Sequence, residues 1–360
     1  MAQNGVAPNF KYRKIYSWII EQINNGTFPH NAKLPSEADL CEQFSISRQT
    51  VRNALARLNE DGFIYSVKGS GSFVRKRIFQ REKKIGVMFT TVSGYICSNI
   101  FDGLEGILTA NGYSLQLELS HNRTESETRF LKKMCESPIS GLIIEATKSN
   151  FPSPNAHLYR RLDEMGIPYV FVNSYYNNVP ANAVIWDDER IAYKLTKRMI
   201  HSGHPNVACI FRFDEMQGTR RYLGYARALQ ENSIEINDKL ICWYSIDDDN
   251  EGFQRQSLYI DGFLDYVAEN CTALICYNDL IASNVINGLR ARNIRIPEQV
   301  SIVSFDNSDL VQFFGIKDFY SFDHPKEQMG QIAAQMLLNL IQTNDTKSRR
   351  VLTIPASKLS

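Results

Sequence analysis

The sequence predicts an α/β protein, with an N-terminal winged helix-turn-helix domain followed by a two-lobed body on parallel sheets. Three observations carry that expectation. Residues 34–74 hold two short helical patterns and then two strand patterns joined at a glycine pair. From Ile85 onward, apolar runs of strand length alternate with amphipathic stretches, twice over, as they do where helices cover both faces of a parallel sheet. Charge is also split. Residues 1–84 hold 14 of the 40 Lys+Arg and 7 of the 39 Asp+Glu, a net +7, which leaves −6 for the remainder. A basic head on an acidic body steers the head, not the body, toward phosphates.

Phe10, Tyr12, Ile15, Ile19 and Ile23 follow helical spacing, and Asn25-Gly26 ends that helix. Ser36 with Asp39 predicts a capping box for a helix that buries Ala38, Leu40, Cys41 and Phe44. Ser45-Ile46 turns the chain and Ser47 caps the next helix. There Val51, Ala54, Leu55 and Leu58 share one face; Gln49, Arg52, Asn53 and Ala56 share the other, with Arg48 at its border. That outward face holds guanidinium and amide groups and no acid. Such groups make bidentate bonds to guanine and adenine edges in a major groove, and the second helix of a helix-turn-helix is the one that lies there. A lone helix of this kind is more often a solvated surface; the whole constellation is far more specific. Phe63–Tyr65 and Ser72–Val74 read as strands, with Lys68-Gly69-Ser70-Gly71 as a loop able to lie against a phosphate backbone. The expected division is residues 1–75 as the winged head, 76–84 as a charged linker and 85–360 as the body.

In the body, strands are expected at 85–90, 115–119, 141–145 and 169–173, separated by helices at 100–111, 126–136 and 156–165. The second half repeats the theme: helices at 190–202, 220–232, 256–269 and 280–292 alternate with strands at 207–211, 240–245, 273–276 and 300–305, and a long helix at 325–343 closes it. No GxGxxG follows the first strand and no GxxxxGK[ST] occurs, so no nucleotide cofactor is expected. Seven scattered cysteines without a CxxC suit a reducing, cytoplasmic setting and argue against a disulfide framework or a zinc site. No metal is expected either: His201 and His204 lack a third ligand nearby. There is no run of about 18 apolar residues for a membrane span, and the N-terminal stretch has no apolar core for a secretory signal.

Ligands of open α/β sheets sit at the carboxyl ends of strands. Those ends carry Thr90, Tyr95, Glu145, Lys148, Asn173, Asp187-Asp188, Asp214, Gln217, Arg221, Trp243, Asn278, Asp279, Asp306 and His324. Carboxylates, amides and an arginine beside Trp and Tyr suit a hydroxyl-rich ligand, because polyols need many directional bonds and an aromatic face covers the C–H side of a sugar ring. Each residue also has an ordinary structural reading. Asp187 and Asp279 can cap helices, Trp243 can be core, and His324 can be a satisfied buried histidine. The pair Asp187-Asp188 would suit acid/base work in a sugar-acting enzyme, but no nucleophile elbow, metal set or phosphate loop accompanies it, so no enzyme is expected.

LPSEADLCEQFSISRQTVRNAL followed by LNEDGFIYSVKGSGSFV resembles the winged-helix head of GntR-type bacterial regulators. The resemblance implies that Arg48, Gln49, Thr50 and Arg52 touch double-stranded operator DNA and that Lys68-Gly69 form the wing tip. Ala38 stands where many such heads carry an arginine, so one phosphate contact is missing or moved. The body resembles the LacI/GalR effector-binding domain, which is similar to periplasmic sugar-binding proteins, through IGVMFTTVSGYICSNIFDGLEGILTANGYSL, GLIIEATKS, RRYLGYARAL and ALICYNDLIASNVINGLRARNIRIPEQVSIVSFDNS. By position in those motifs, Arg221, Asn278 and Asp306 match residues that grip sugar hydroxyls, while Asn173, Trp243 and His324 match further contacts. Asn307 departs from the second aspartate usual there. A GntR-type head on a LacI-type body is similar to the repressors of arabinose utilisation, with EATKS, Asp214–Gly218, CYND and Asp323–Lys326 as the likeness. The resemblance therefore implies a homodimeric repressor released allosterically from its operator by a pentose, L-arabinose. Another sugar, or a purine as in some LacI relatives, is the alternative effector.

Overall fold

The computed structural model describes residues 8–24, 26–60, 62–75, 82–91, 95–245, 253–317, 319–343, 345 and 348–356. The chain forms two units, Met1–Gln80 and Arg81–Ser360.

In the first unit, α1 (Pro8–Asn24), α2 (Glu37–Phe44) and α3 (Arg48–Glu60) precede a hairpin of β1 (Ile64–Val67) and β2 (Gly71–Val74). The Ser36–Asp39 capping box forms at the start of α2, with each side chain bonded to the other residue's backbone N–H. Ser45 takes a left-handed conformation, φ 54°, and the Ile46 N–H returns to the Cys41 carbonyl at 3.2 Å, which ends α2 as a Schellman turn. Ser47 accepts the Thr50 N–H and caps α3. Ile15, Ile19, Leu40, Val51, Ala54, Leu58 and Ile64 close the core. Ala38, expected in that core, is exposed. It precedes Leu40 by two residues, about 200° around the helix, so the two cannot share a face.

The second unit holds two parallel sheets among the described residues, with strand orders β13-β7-β6-β5-β3-β4 and β12-β11-β10-β8-β9. The first sheet is made of β3 (Lys84–Phe89), β4 (Ser114–Leu119), β5 (Gly141–Ile144), β6 (Tyr169–Val172), β7 (Ala183–Trp186) and β13 (Val351–Ile354); the second of β8 (Val207–Arg212), β9 (Ile241–Tyr244), β10 (Ala273–Cys276), β11 (Ser301–Asp306) and β12 (Tyr320–Asp323). The inner strands GLII, YVFV and AVIW are wholly buried, as strands covered on both faces must be. Around them lie α4 (Tyr95–Ala110), α5 (Thr124–Glu136), α6 (Ala156–Glu164), α7 (Asp188–His201), α8 (Met216–Glu231), α9 (Phe253–Asn270), α10 (Asp279–Ala291) and α11 (Lys326–Thr343). The strands β7, β12 and β13 were not foreseen from the sequence.

The chain leaves the first sheet after Trp186, builds the second from α7 to β12, and returns at 323–326. The final long helix, expected to close the second half, therefore belongs to the first: α11 packs on α4, β5, β6 and β7. Two glycines allow the approach. A Cβ on Gly330 would stand 2.0 Å from the Ile100 carbonyl oxygen, and one on Gly103 2.2 Å from that of Glu327. We expect Gly330→Val to push the two helices apart and to lower the stability of the body by about 1–3 kcal/mol, read as a reduced urea midpoint.

Candidate functional site

In the head, α3 presents Arg48, Gln49, Thr50 and Arg52 at or near solvent, and the hairpin tip carries Lys68 and Gly69, the latter at φ 78°. Gln49 donates to Asn53 at 3.1 Å across one helical turn, and the Thr50 and Ser47 hydroxyls are 2.8 Å apart. The face is less free of acid than α3 alone suggests. Glu37, at the start of α2, lies 3.0 Å from Nε of Arg52 and 4.0 Å from Nε of Arg48. Its partners are separated from it by 15 and 11 positions, so only the tertiary fold reveals the clasp. An exposed pair of this kind is worth no more than about 1 kcal/mol and exchanges readily for a phosphate or a base edge.

In the body, the two crossings between the sheets abut. Trp186 ends β7 and His324 follows β12, and their rings lie 4.5 Å apart. Neither His324 nitrogen nor the indole Nε1 of Trp186 has a hydrogen-bond partner among the described residues, and both side chains are buried. Burial, then the charges of Lys326 and Arg221, hold the His324 pKa well below the ordinary histidine value. Its ring is therefore neutral at pH 7, with one nitrogen a donor and the other an acceptor. Buried polar groups without partners are rare, and here two such side chains adjoin at a crossing, with their rings tilted by 57°.

Arg221 of α8 is 1% exposed. Its Nε donates to Asp188 at 2.8 Å, its Nη1 donates to the Tyr277 carbonyl, and its guanidinium lies 4.1 Å from the Phe305 ring centre and 4.5 Å from that of Tyr277. Burial raises the Asp188 pKa, and the attraction of Arg221 offsets that only in part. Arg221 itself is held charged: the neighbouring Asp188 raises its pKa despite the burial. Asp306 ends β11 at φ 97° and is followed by Asn307 at φ 44°. This left-handed pair turns the chain so that the Asp306 carbonyl accepts from Lys326 Nζ at 2.5 Å. Asn307, in place of the expected aspartate, suits that backbone, and its N–H donates to Ser321 Oγ at 2.8 Å.

On the opposite wall, Glu145 accepts the Thr90 N–H and hydroxyl at 2.8 and 2.6 Å, and the Asn173 amide at 2.9 Å. Asn173 in turn accepts from Gln217 of α8 at 2.8 Å, which joins the first lobe to the second. The other predicted residues fall at the margins or elsewhere. Lys148, at φ 49°, donates its N–H to Asn122. Asp187 caps α7, as foreseen, by accepting the Arg190 N–H. Asn278, not Asp279, caps α10; Asp279 is buried and accepts from Ser304, Ser308 and Ser321. Trp243 is on the edge strand β9, 39% exposed, with its ring against Tyr222 and Phe211. No hydrogen bond or ring contact among the described residues joins it to Arg221 or His324. Tyr95 opens α4, and its side chain lies outside the described set. Trp186 was missed because its strand was missed; had β7 been recognised, the residue before Asp187-Asp188 would have stood at a strand end.

A helix-turn-helix head with an exposed basic helix, joined in one chain to a two-lobed body with buried, unpartnered polar side chains, is the arrangement of a ligand-responsive DNA-binding regulator. Residues 11–74 match the family of bacterial regulatory proteins of the gntR type, and residues 196–360 match the periplasmic binding protein-like domain. The arabinose metabolism transcriptional repressor of Geobacillus stearothermophilus is 34% identical over 92% of this chain and 91% of its own length. That of Halalkalibacterium halodurans is 33% identical over 93% and 89%. A LacI family transcriptional regulator from Enterococcus faecium, solved with bound ribose, shares the body fold at a TM-score of 0.63, with 22% identity over 77% of this chain and 97% of its own. This chain belongs to the family of transcriptional repressors that combine a GntR head with a periplasmic-binding-protein-like body; its relatives are regulators, not enzymes. No helix among the described residues is long and apolar enough to cross a membrane.

Truncating Arg221 would strand the Asp188 carboxylate in the interior. We expect Arg221→Ala to destabilise the body by about 3–5 kcal/mol, and Arg221→Ala with Asp188→Asn to recover part of that loss, read by urea unfolding of each variant.

Proposed function

We propose that this repressor binds a near-palindromic operator as a homodimer and releases it when L-arabinose enters the cleft of its body. The observation that carries the effector reading is the His324–Trp186 pair. A neutral imidazole with one donor and one acceptor, beside an indole donor, all buried and unpartnered, matches hydroxyls, which both give and take a hydrogen bond. Arg221 adds donors whose charge Asp188 already balances, which favours an uncharged polyol over a sugar phosphate. Glu145, Asn173, Asp187 and Asp306 complete the acceptors in this reading, with Lys148 and Asn278 at its edge. The names of the two repressors at 33–34% identity support arabinose among the sugars.

Two heads related by a two-fold axis suit two half-sites of an operator. In each, Arg48, Gln49, Thr50 and Arg52 read the major groove while Lys68 and Gly69 rest on phosphate. Sugar must favour one arrangement of the lobes to act at all: a change from 1:99 to 99:1 needs about 5.5 kcal/mol of preference.

Calorimetry of the full-length protein with L-arabinose, other pentoses, hexoses and hypoxanthine tests the effector. L-arabinose should bind most tightly; tight binding of hypoxanthine with no response to any sugar refutes the reading. Arg52→Ala should weaken binding to an operator duplex, selected by the parent from random sequences, by roughly tenfold to a hundredfold, the loss of about 1–3 kcal/mol expected for one base-reading arginine. Sugar affinity should stay at the parental value. Unchanged DNA affinity across a salt series would remove Arg52 from the reading face.

A further inference from the structure

Glu215 is a buried carboxyl outside the set of effector contacts proposed above, and it sits where the two lobes meet. It closes the turn from β8 into α8, and the first residue of that helix, Met216, inserts into the core of the first lobe. The Met216 N–H donates to Ser149 Oγ at 3.0 Å, and the Asn150 N–H donates to the Asp214 carbonyl at 3.3 Å. Asn122 of the first lobe donates to the Asp214 carboxylate at 2.6 Å. Gly218 allows the turn to fold this tightly, because a Cβ there would stand 1.7 Å from the Arg212 carbonyl oxygen.

One Glu215 oxygen faces Arg212 Nη2 at 2.8 Å, and the other lies 2.5 Å from the Tyr277 hydroxyl. That same hydroxyl lies 3.2 Å from Oε1 of Gln217. Tyr277 has a single hydroxyl proton to give. While Glu215 is ionised it takes that proton, and Gln217 Oε1 is left without a donor from this source. Once Glu215 is protonated, it donates to the Tyr277 oxygen, and the tyrosine proton turns to Gln217. A continuous relay then runs from Glu215 through Tyr277, Gln217 and Asn173 to Glu145, from the second lobe into the first.

We propose that Glu215 is a proton-operated latch: a proton on its carboxyl frees the Tyr277 hydroxyl to fix Gln217, the side chain that donates across the lobes to Asn173, and so favours closure, while loss of that proton loosens it. The charged and titratable groups around it are Arg212 and Asp214 at the end of β8, Tyr277 after β10, Tyr244 of β9, and, from the first lobe, Glu145 after β5 and Cys97 of α4. Burial first, then the carboxylates Glu145 and Asp214, raise the Glu215 pKa to about 7 against the pull of Arg212. Separating the lobes would hydrate the carboxyl and return it toward its ordinary value of 4.5. The closed form thus binds the extra proton, so falling pH favours closure. The closed-to-open ratio rises about tenfold from about pH 8 to about pH 6, about fivefold of it below pH 7.

Hydrogen exchange on the full-length protein, without sugar or DNA, reads this directly. The amides of Met216 and Asn150 bond across the lobes, so their protection factors, corrected for intrinsic exchange rates, follow closure. In the parent they should rise about tenfold from pH 8 to pH 6, with less than twofold of that above pH 7 and a plateau above about pH 8. Glu215→Gln, whose amide can donate to Tyr277 as the protonated acid does, should hold them high at both pH values. Equal protection at both pH values in the parent overturns the latch, as does an unaltered pH response in Glu215→Gln. Should that variant fail to fold, the parental profile decides alone, since a rise of severalfold between about pH 9 and about pH 8 excludes Glu215. Because no ligand is present, the outcome is separate from the identity of the effector.

Discussion

The buried ion pair between Arg221 and Asp188 is the constraint on which the strand ends of the second lobe depend. It fastens the first residue of α7 to the second turn of α8, and through the Tyr277 carbonyl and the Phe305 ring it also reaches the ends of β10 and β11. Two charges in the interior are costly unless each is matched and its remaining donors are used. Here the guanidinium lies between two aromatic rings as well as on a carboxylate. With that junction fixed, the adjoining histidine and indole can be left without partners, because the structure around them does not rely on their bonds.

The two functional regions place their charges differently. In the head, Glu37, Arg48 and Arg52 stand in solvent, where the clasp is weak and salt-sensitive. In the body, Arg221 and Arg212 are buried with their acids. The head must exchange its internal partner for a polyanion, so a cheap contact serves it. The body has to distinguish a small polar ligand from water, and buried groups with fixed directions do that.

The fold class was legible because its signals are local. The capping box, the helical faces of α1 and α3, and the apolar runs of β3, β5, β6, β8 and β10 each lie within one stretch of chain. What stayed hidden depends on partners distant in sequence. The attachment of α11 to the first lobe rests on Gly103 and Gly330, which are 227 positions apart. The clasp by Glu37 needs the angle between α2 and α3. Of the candidates named from the strand ends, Glu145, Asn173, Asp306 and His324 are buried there and Arg221 is buried in α8, whereas Asp279 is taken up by three internal bonds and Trp243 lies half-exposed on an edge strand. Strand ends locate a rim; which side chains turn inward is settled by packing.

The route of the chain through its body bears on the order of assembly. The second lobe is one continuous segment, residues 188–323, whereas the first is split and receives α11 and β13 last. During vectorial synthesis the second sheet therefore has all its strands while the first still lacks an edge and a covering helix. Until α11 has emerged from the ribosome, the apolar surface of β5, β6 and β7 that it covers stays bare, a window in which a nascent repressor is open to aggregation or to a chaperone.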